Sequence, residues 1–189
     1  MADAVVVPGR MFGPGAPLPM YAGDVAQRRG ATVHRHSWSE NPPVPTPASW
    51  VRAQITPLLT GVSPLTGASP LTAASPVTAA PLLIGKSLGT LAAPLAAERA
   101  LPAVWLTPLL TSPEAVDALA GATAPFLLVG GTADSAWNGA TARRLTPHVL
   151  EVDDADHGMY VPGPLSDSIA VLTRVTDAVD RFLATIHWP

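Results

Sequence analysis

Short runs rich in Val, Leu and Ile alternate along the chain with segments whose apolar positions recur every three or four residues. That alternation is the pattern of strand and crossover helix in a parallel α/β sheet. The runs at 4–9 (AVVVPG), 31–38 (ATVHRHSW), 81–86 (PLLIGK), 102–108 (PAVWLTP), 125–131 (PFLLVGG) and 148–152 (HVLEV) predict six strands. Helices are predicted at 20–29, closed by Gly30, and after Thr46 as cap with Pro47 at the first helical position. Others are predicted over 87–99, kinked by Pro94; after Ser112 as cap, with Pro113 first and Gly121 beyond the end; and over 136–145. The closing segment reads as one long amphipathic helix. In it Ile169, Leu172, Val175, Val179, Phe182, Leu183 and Ile186 share a face that packs on the sheet. The expected architecture is a three-layer α/β/α sandwich on a mainly parallel, doubly wound, six-stranded sheet, with 1–189 as a single domain.

One stretch breaks the pattern. SPLTGA, SPLTAA and SPVTAA stand in tandem over 63–80. A proline in every unit excludes a helix interior or a central strand, and three short units are too few for a solenoid. Residues 61–80 are therefore expected to form an inserted surface loop, mobile and remote from the C-terminal edge of the third strand.

Composition narrows the function classes. The 189 residues are 48% hydrophobic and 13% charged, with a formal net charge of −3. No long charged block supports a nucleic-acid or acidic-membrane partner. With no cysteine, a disulfide scaffold, a thiolate metal site and a cysteine nucleophile are all excluded. The first apolar run stops at Pro8-Gly9 with no basic segment before it, and no apolar stretch approaches the roughly 20 residues of a membrane span. A soluble, cytoplasmic protein is expected. Lys86 is the only lysine among the basic residues, a bias best ascribed to a GC-rich genome.

Lys86 sits in PLLIGKSLGT, which carries two chemical signals at once. Gly85-Lys86-Ser87 is the end of a phosphate-binding loop, and Gly85-x-Ser87-x-Gly89 is the pattern of a nucleophile elbow. The phosphate loop needs a glycine where Ala80 stands and a loop where Leu82-Leu83-Ile84 form a strand. The elbow needs a serine on a sharp strand-to-helix turn flanked by glycines, which the segment supplies. A serine hydroxyl needs a base, and the base needs an orienting acid. Asp134 follows the fifth strand and His157 the sixth, each at the strand end where open α/β sheets gather their sites. Asp153, Asp154 and Asp156, adjacent to His157 in sequence, read as solvated loop charges. Their consecutive spacing lacks the alternation of a calcium loop, so no metal is expected. His34, His36, His148 and His187 are poorly placed for the base.

The segments LLIGKSLGT, FLLVGGTADSAW and VLEVDDADHGM together resemble the α/β-hydrolase family, and VVVPGRMFG is similar to its oxyanion-hole loop, with Pro8 where the family usually has His. The nearest likeness is to small capless members of the dienelactone-hydrolase group. The resemblance implies a sheet lacking the family's first strands, and a site that needs no cofactor. It implies Ser87 as nucleophile, His157 as general base and acid, and Asp134 as the residue orienting His157. It also implies an oxyanion hole made by the backbone N–H of Leu88 and of Arg10, with Met11 the second choice. Met11, Trp137 and Met159 are candidates for lining the pocket, with ordinary packing as the alternative. Lys86 is expected to point away from Ser87. The segment 106–126 holds only a loop and one short helix, too little for a cap, so an open, shallow site for a small acyl substrate is expected. A binding protein that retains the fold without catalysis is the alternative, because fold alone does not decide function.

Overall fold

The computed structural model describes residues 2–11, 13–59 and 80–189. The tandem repeat lies outside the described residues, apart from Ala80.

Six strands, β1 (Asp3–Val7), β2 (Thr32–Arg35), β3 (Leu82–Lys86), β4 (Ala103–Leu106), β5 (Phe126–Gly131) and β6 (Val149–Val152), form one sheet in the order β2-β1-β3-β4-β5-β6. Every neighbouring pair is parallel. The helices are α1 (Pro17–Arg28), α2 (Ala48–Leu59), α3 (Ala93–Glu98), α4 (Pro113–Ala120), α5 (Gly139–Leu145) and α6 (Leu165–Thr185). Strand parity divides the core in two. Val6, Ile84, Val104 and Val129 face α1 and α6, which bring Ala22, Val175, Val179 and Phe182. Val5, Leu83, Trp105 and Leu128 face the other way, toward Val51 of α2, Leu95 of α3 and Leu119 of α4. Both faces of the central strands are buried, which is why they read as unbroken apolar runs rather than alternating ones. The expected doubly wound sandwich is present, with a sheet that is wholly parallel.

Several local expectations are corrected. Thr46 does not cap α2: its hydroxyl donates to the Pro43 carbonyl and accepts from Arg10, and the helix starts at Ala48. Pro94 kinks nothing. Residues Ser87–Ala92 form a 3-10 turn, and Pro94 stands in the first turn of the helix that follows, where a missing N–H is harmless. Ser112 does cap α4, accepting from the Ala115 N–H, and Asn138 caps α5 by accepting from Thr141. In α6, Ile169 departs from the expected burial and is 58% exposed, while Val171, two residues on, is buried in the core.

β1 connects outward to β2 on one side while β3 lies on its other side. The chains leaving these two strands therefore diverge, and a crevice opens at their C-terminal ends. Val7 pairs with Gly85, which sets the loop starting at Pro8 beside Lys86 and Ser87.

Phe182 joins α6 to the sheet and is almost wholly buried. Phe182→Ala is expected to lower stability by about 3–5 kcal/mol. Urea unfolding followed by circular dichroism would show a lower midpoint with an unchanged slope.

Candidate active site

β3 ends in extended backbone at Lys86, and Ser87 then turns to φ +52°. A non-glycine residue in that region is strained and persists only where its surroundings hold it. They do so closely. A Cβ at Gly85 would stand 2.5 Å from the Trp105 ring, and one at Gly89 would stand 2.5 Å from the Val7 carbonyl oxygen. Both positions need glycine for want of space. Thr90 ties the turn from inside. Its hydroxyl donates to the Ser87 carbonyl at 2.7 Å and accepts from the Leu109 N–H at 3.3 Å.

His157 is carried by the loop after β6. Asp156 shapes that loop, its Oδ1 accepting from the Gly158 N–H at 2.7 Å and the Tyr160 N–H at 2.9 Å. Asp156 is exposed, as expected of a loop charge, and in addition organises the loop backbone. The imidazole Nε2 lies 2.7 Å from Ser87 Oγ, and Nδ1 lies 2.8 Å from Asp134 Oδ2. Asp134 is only 4% exposed, and its Oδ1 takes the Ala136 N–H at 2.9 Å. A carboxylate can only accept, so Nδ1 carries the proton in this arrangement and Nε2 is left to accept from the serine hydroxyl.

The loop after β1 is braced from the β2–α2 connection. The Trp38 indole N–H donates to the Gly9 carbonyl at 2.8 Å. The Arg10 guanidinium donates to the carbonyls of Pro42 at 2.6 Å and Pro43 at 3.1 Å, and to Thr46. Arg10 therefore commits its head group to that connection. Its backbone N–H donates to no acceptor among the described residues. Leu88 follows Ser87 at the start of the 3-10 turn, where N–H groups lack intrahelical acceptors. His36 meets the Trp38 ring edge-on at 4.8 Å, and burial pushes its pKa down to about 4.

A cleft of about 780 Å³ opens over Ser87 and His157, on the face of the sheet that carries α1 and α6. Met11 and Met159 line it, as do Tyr160, Leu165 and Ile169, which the sequence reading did not select. Trp137 does not. Its ring packs over Gly130 on the opposite face of the sheet, and its N–H donates to Glu151 at 2.7 Å. Lys86 is also corrected: it lines the cleft instead of pointing away from Ser87. Gly85 faces Trp105, so the next residue of the strand faces the cleft side. Burial lowers the Lys86 pKa, while the charges of Asp134 and Asp156 act against that shift. His34 pairs with Asp3 at 2.7 Å. Among the described residues no three His, Asp or Glu side chains converge as a metal would require, and no helix is long and apolar enough to cross a membrane.

No protein-family model and no curated protein matches the chain. Solved structures do. The chain superposes on Est1E from Butyrivibrio proteoclasticus with a TM-score of 0.71 at 13% identity, covering 100% of this chain and 89% of that one. The chain has the α/β-hydrolase fold. Dienelactone hydrolase from Anabaena variabilis aligns with a TM-score of 0.63 at 18% identity, over 98% of this chain and 86% of that one. An esterase domain from a Rhodothermus marinus protein aligns with a TM-score of 0.62 at 16% identity, over 96% and 86%. Relative to these α/β-hydrolase folds the present chain is similar in extent.

The brace makes a pH prediction. An unfolded His36 takes up its proton near 6.5, and the folded one near 4. The unfolded state therefore binds more protons between those values, and folded stability falls as pH drops through that window, then levels off. His36 is partly exposed, so the loss is expected to be about 1–2 kcal/mol. Urea midpoints of the wild type and His36→Phe, compared from pH 7 to 4, should diverge, with the variant losing less.

Proposed function

We propose that the chain is a serine hydrolase that cleaves an ester, thioester or related acyl bond through a covalent acyl-enzyme. One observation carries this reading: Ser87 Oγ, on a strained elbow, hydrogen-bonds an imidazole whose other nitrogen is held by the buried Asp134.

In this mechanism His157 Nε2 takes the Ser87 proton as Oγ attacks the acyl carbon. Asp134 keeps the ring in the required tautomer and stabilises the imidazolium. The carbonyl oxygen, now negative, accepts from the N–H groups of Leu88 and Arg10. The N–H groups of Arg10 and Met11 both donate to no acceptor among the described residues; Arg10 is preferred because it directly follows Gly9 and its guanidinium is anchored to Pro42, Pro43 and Thr46. Each such donor contributes about 3 kcal/mol to transition-state stabilisation. His157 then gives its proton to the departing alcohol or thiol. Water, activated by the same imidazole, attacks the acyl-enzyme and releases the acid. No cofactor enters this chemistry. The open cleft suits a small or exposed acyl substrate, and the names of the structural neighbours, esterases and a hydrolase, accord with a carboxylesterase-type reaction.

A fluorophosphonate probe is expected to label Ser87 and no other residue. Ser87→Ala should abolish turnover of p-nitrophenyl esters, and Asp134→Asn should lower kcat by about 10⁴ through the wrong tautomer. A folded wild type that is neither labelled nor active on esters of any chain length would overturn the reading in favour of a binding protein.

A further inference from the structure

We propose that Lys86 forms an anion subsite, and that the preferred substrate is an ester carrying a carboxylate; this rests on the hydrolase reading above. Lys86 directly precedes Ser87, and its stem runs along the loop after β1: a Cβ at Gly9 would lie 3.2 Å from Lys86 Cδ. Three basic residues line the cleft, namely Arg10, Lys86 and His157. His157 is engaged with Ser87 and Asp134, and the Arg10 head group is tied to Pro42, Pro43 and Thr46. Lys86 has no hydrogen-bond or ion-pair partner among the described residues. The nearby acids do not supply one. Asp134 is taken by His157 and the Ala136 N–H, and Asp156 Oδ1 by the N–H groups of Gly158 and Tyr160.

The remaining wall is mostly apolar, with Met11, Met159, Leu165 and Ile169 among its residues. A partly buried ammonium in such a wall has lost water and gained no protein acceptor. An anionic group on a bound substrate supplies one, as a charge-assisted hydrogen bond absent from a neutral analogue. A single free cation matches a single negative charge, so the class is a carboxylate rather than a phosphate dianion. The apolar wall accommodates the rest of the ester. The carboxylate can sit on the acyl or the alcohol side, since both pass Ser87.

The test compares p-nitrophenyl hemiglutarate with p-nitrophenyl valerate for an acyl-borne carboxylate, and 3-carboxyphenyl butyrate with phenyl butyrate for an alcohol-borne one. In the wild type one pair is expected to show a kcat/KM preference for the anionic ester of about tenfold or more, carried by KM. Lys86→Met should erase that preference and Lys86→Arg should keep most of it. Equal preferences in the wild type and Lys86→Met, or a wild type that favours both neutral esters, would overturn the subsite. Hydrolysis of the neutral esters would meanwhile leave the hydrolase reading intact. Two measurements need neither turnover nor a folded Lys86 variant. In Ser87→Ala, monoethyl glutarate should bind about tenfold tighter than ethyl valerate by calorimetry. In the wild type, monoethyl glutarate should slow trinitrophenylation of Lys86, the only lysine, relative to the α-amino group, as read by mass spectrometry. Equal affinities together with unprotected Lys86 would refute an acyl-borne carboxylate, and 3-carboxyphenyl butyrate used in the same two assays does so for the alcohol side.

Discussion

The site depends on one close approach, that of Gly89 to the carbonyl of Val7. Without a side chain at Gly89, the turn after β3 can lie against the end of β1. That contact, with Gly85 against Trp105, leaves the chain no way out of β3 except a tight reversal. Ser87 takes up the strain of the reversal as a positive φ, and its hydroxyl is presented at the strand edge. A strain of this kind costs of order 1–3 kcal/mol and survives only because the flanking packing leaves no alternative. The same approach puts the loop after β1 next to Ser87, so the proposed nucleophile and the candidate oxyanion donor are located by a single packing constraint.

The second layer of support comes from outside the sheet. Arg10 is held by two carbonyls and a hydroxyl from the proline-rich connection that follows β2, and Trp38 holds the next peptide unit at Gly9. Proline has no N–H to donate, but its carbonyl accepts freely, so a proline-rich segment is suited to receiving a guanidinium. Trp38 in turn packs against Trp50 of α2, at 5.1 Å between ring centres. The result is a continuous chain of contacts from helix to loop to the backbone beside Ser87. Thr46, which local rules assign to a helix cap, is used in this brace instead.

What was legible in the sequence was local. Gly85, Ser87 and Gly89 specify the elbow within five residues, and Asp134 and His157 each stand just past a run that could only be a strand. The central strands were visible because both of their faces are buried. What was not legible depended on which side of the sheet the cleft opens. Strand parity alone puts Gly85 and Lys86 on opposite faces, but nothing in the local sequence says that α1 and α6 frame the opening. Lys86 is therefore found on the side opposite to the one expected, and of the two alternatives open for Trp137 the structure shows ordinary packing. Ile169 fits the helical repeat, yet the repeat cannot show that the cleft opens beside this turn of α6. Pro94 was misjudged because a 3-10 turn and an α-helix share apolar spacing over so short a stretch.

The wall of the cleft has a consequence for assembly order. Ser87 is synthesised 70 residues ahead of the imidazole that would activate it, and α6, which supplies Leu165 and Ile169 to the rim, comes later still. A growing chain can form β1, β3 and the elbow between them while the hydroxyl has no base beside it. The arrangement that would activate Ser87 can therefore be complete only after the loop beyond β6 is made, and the cleft around it only after α6 has followed.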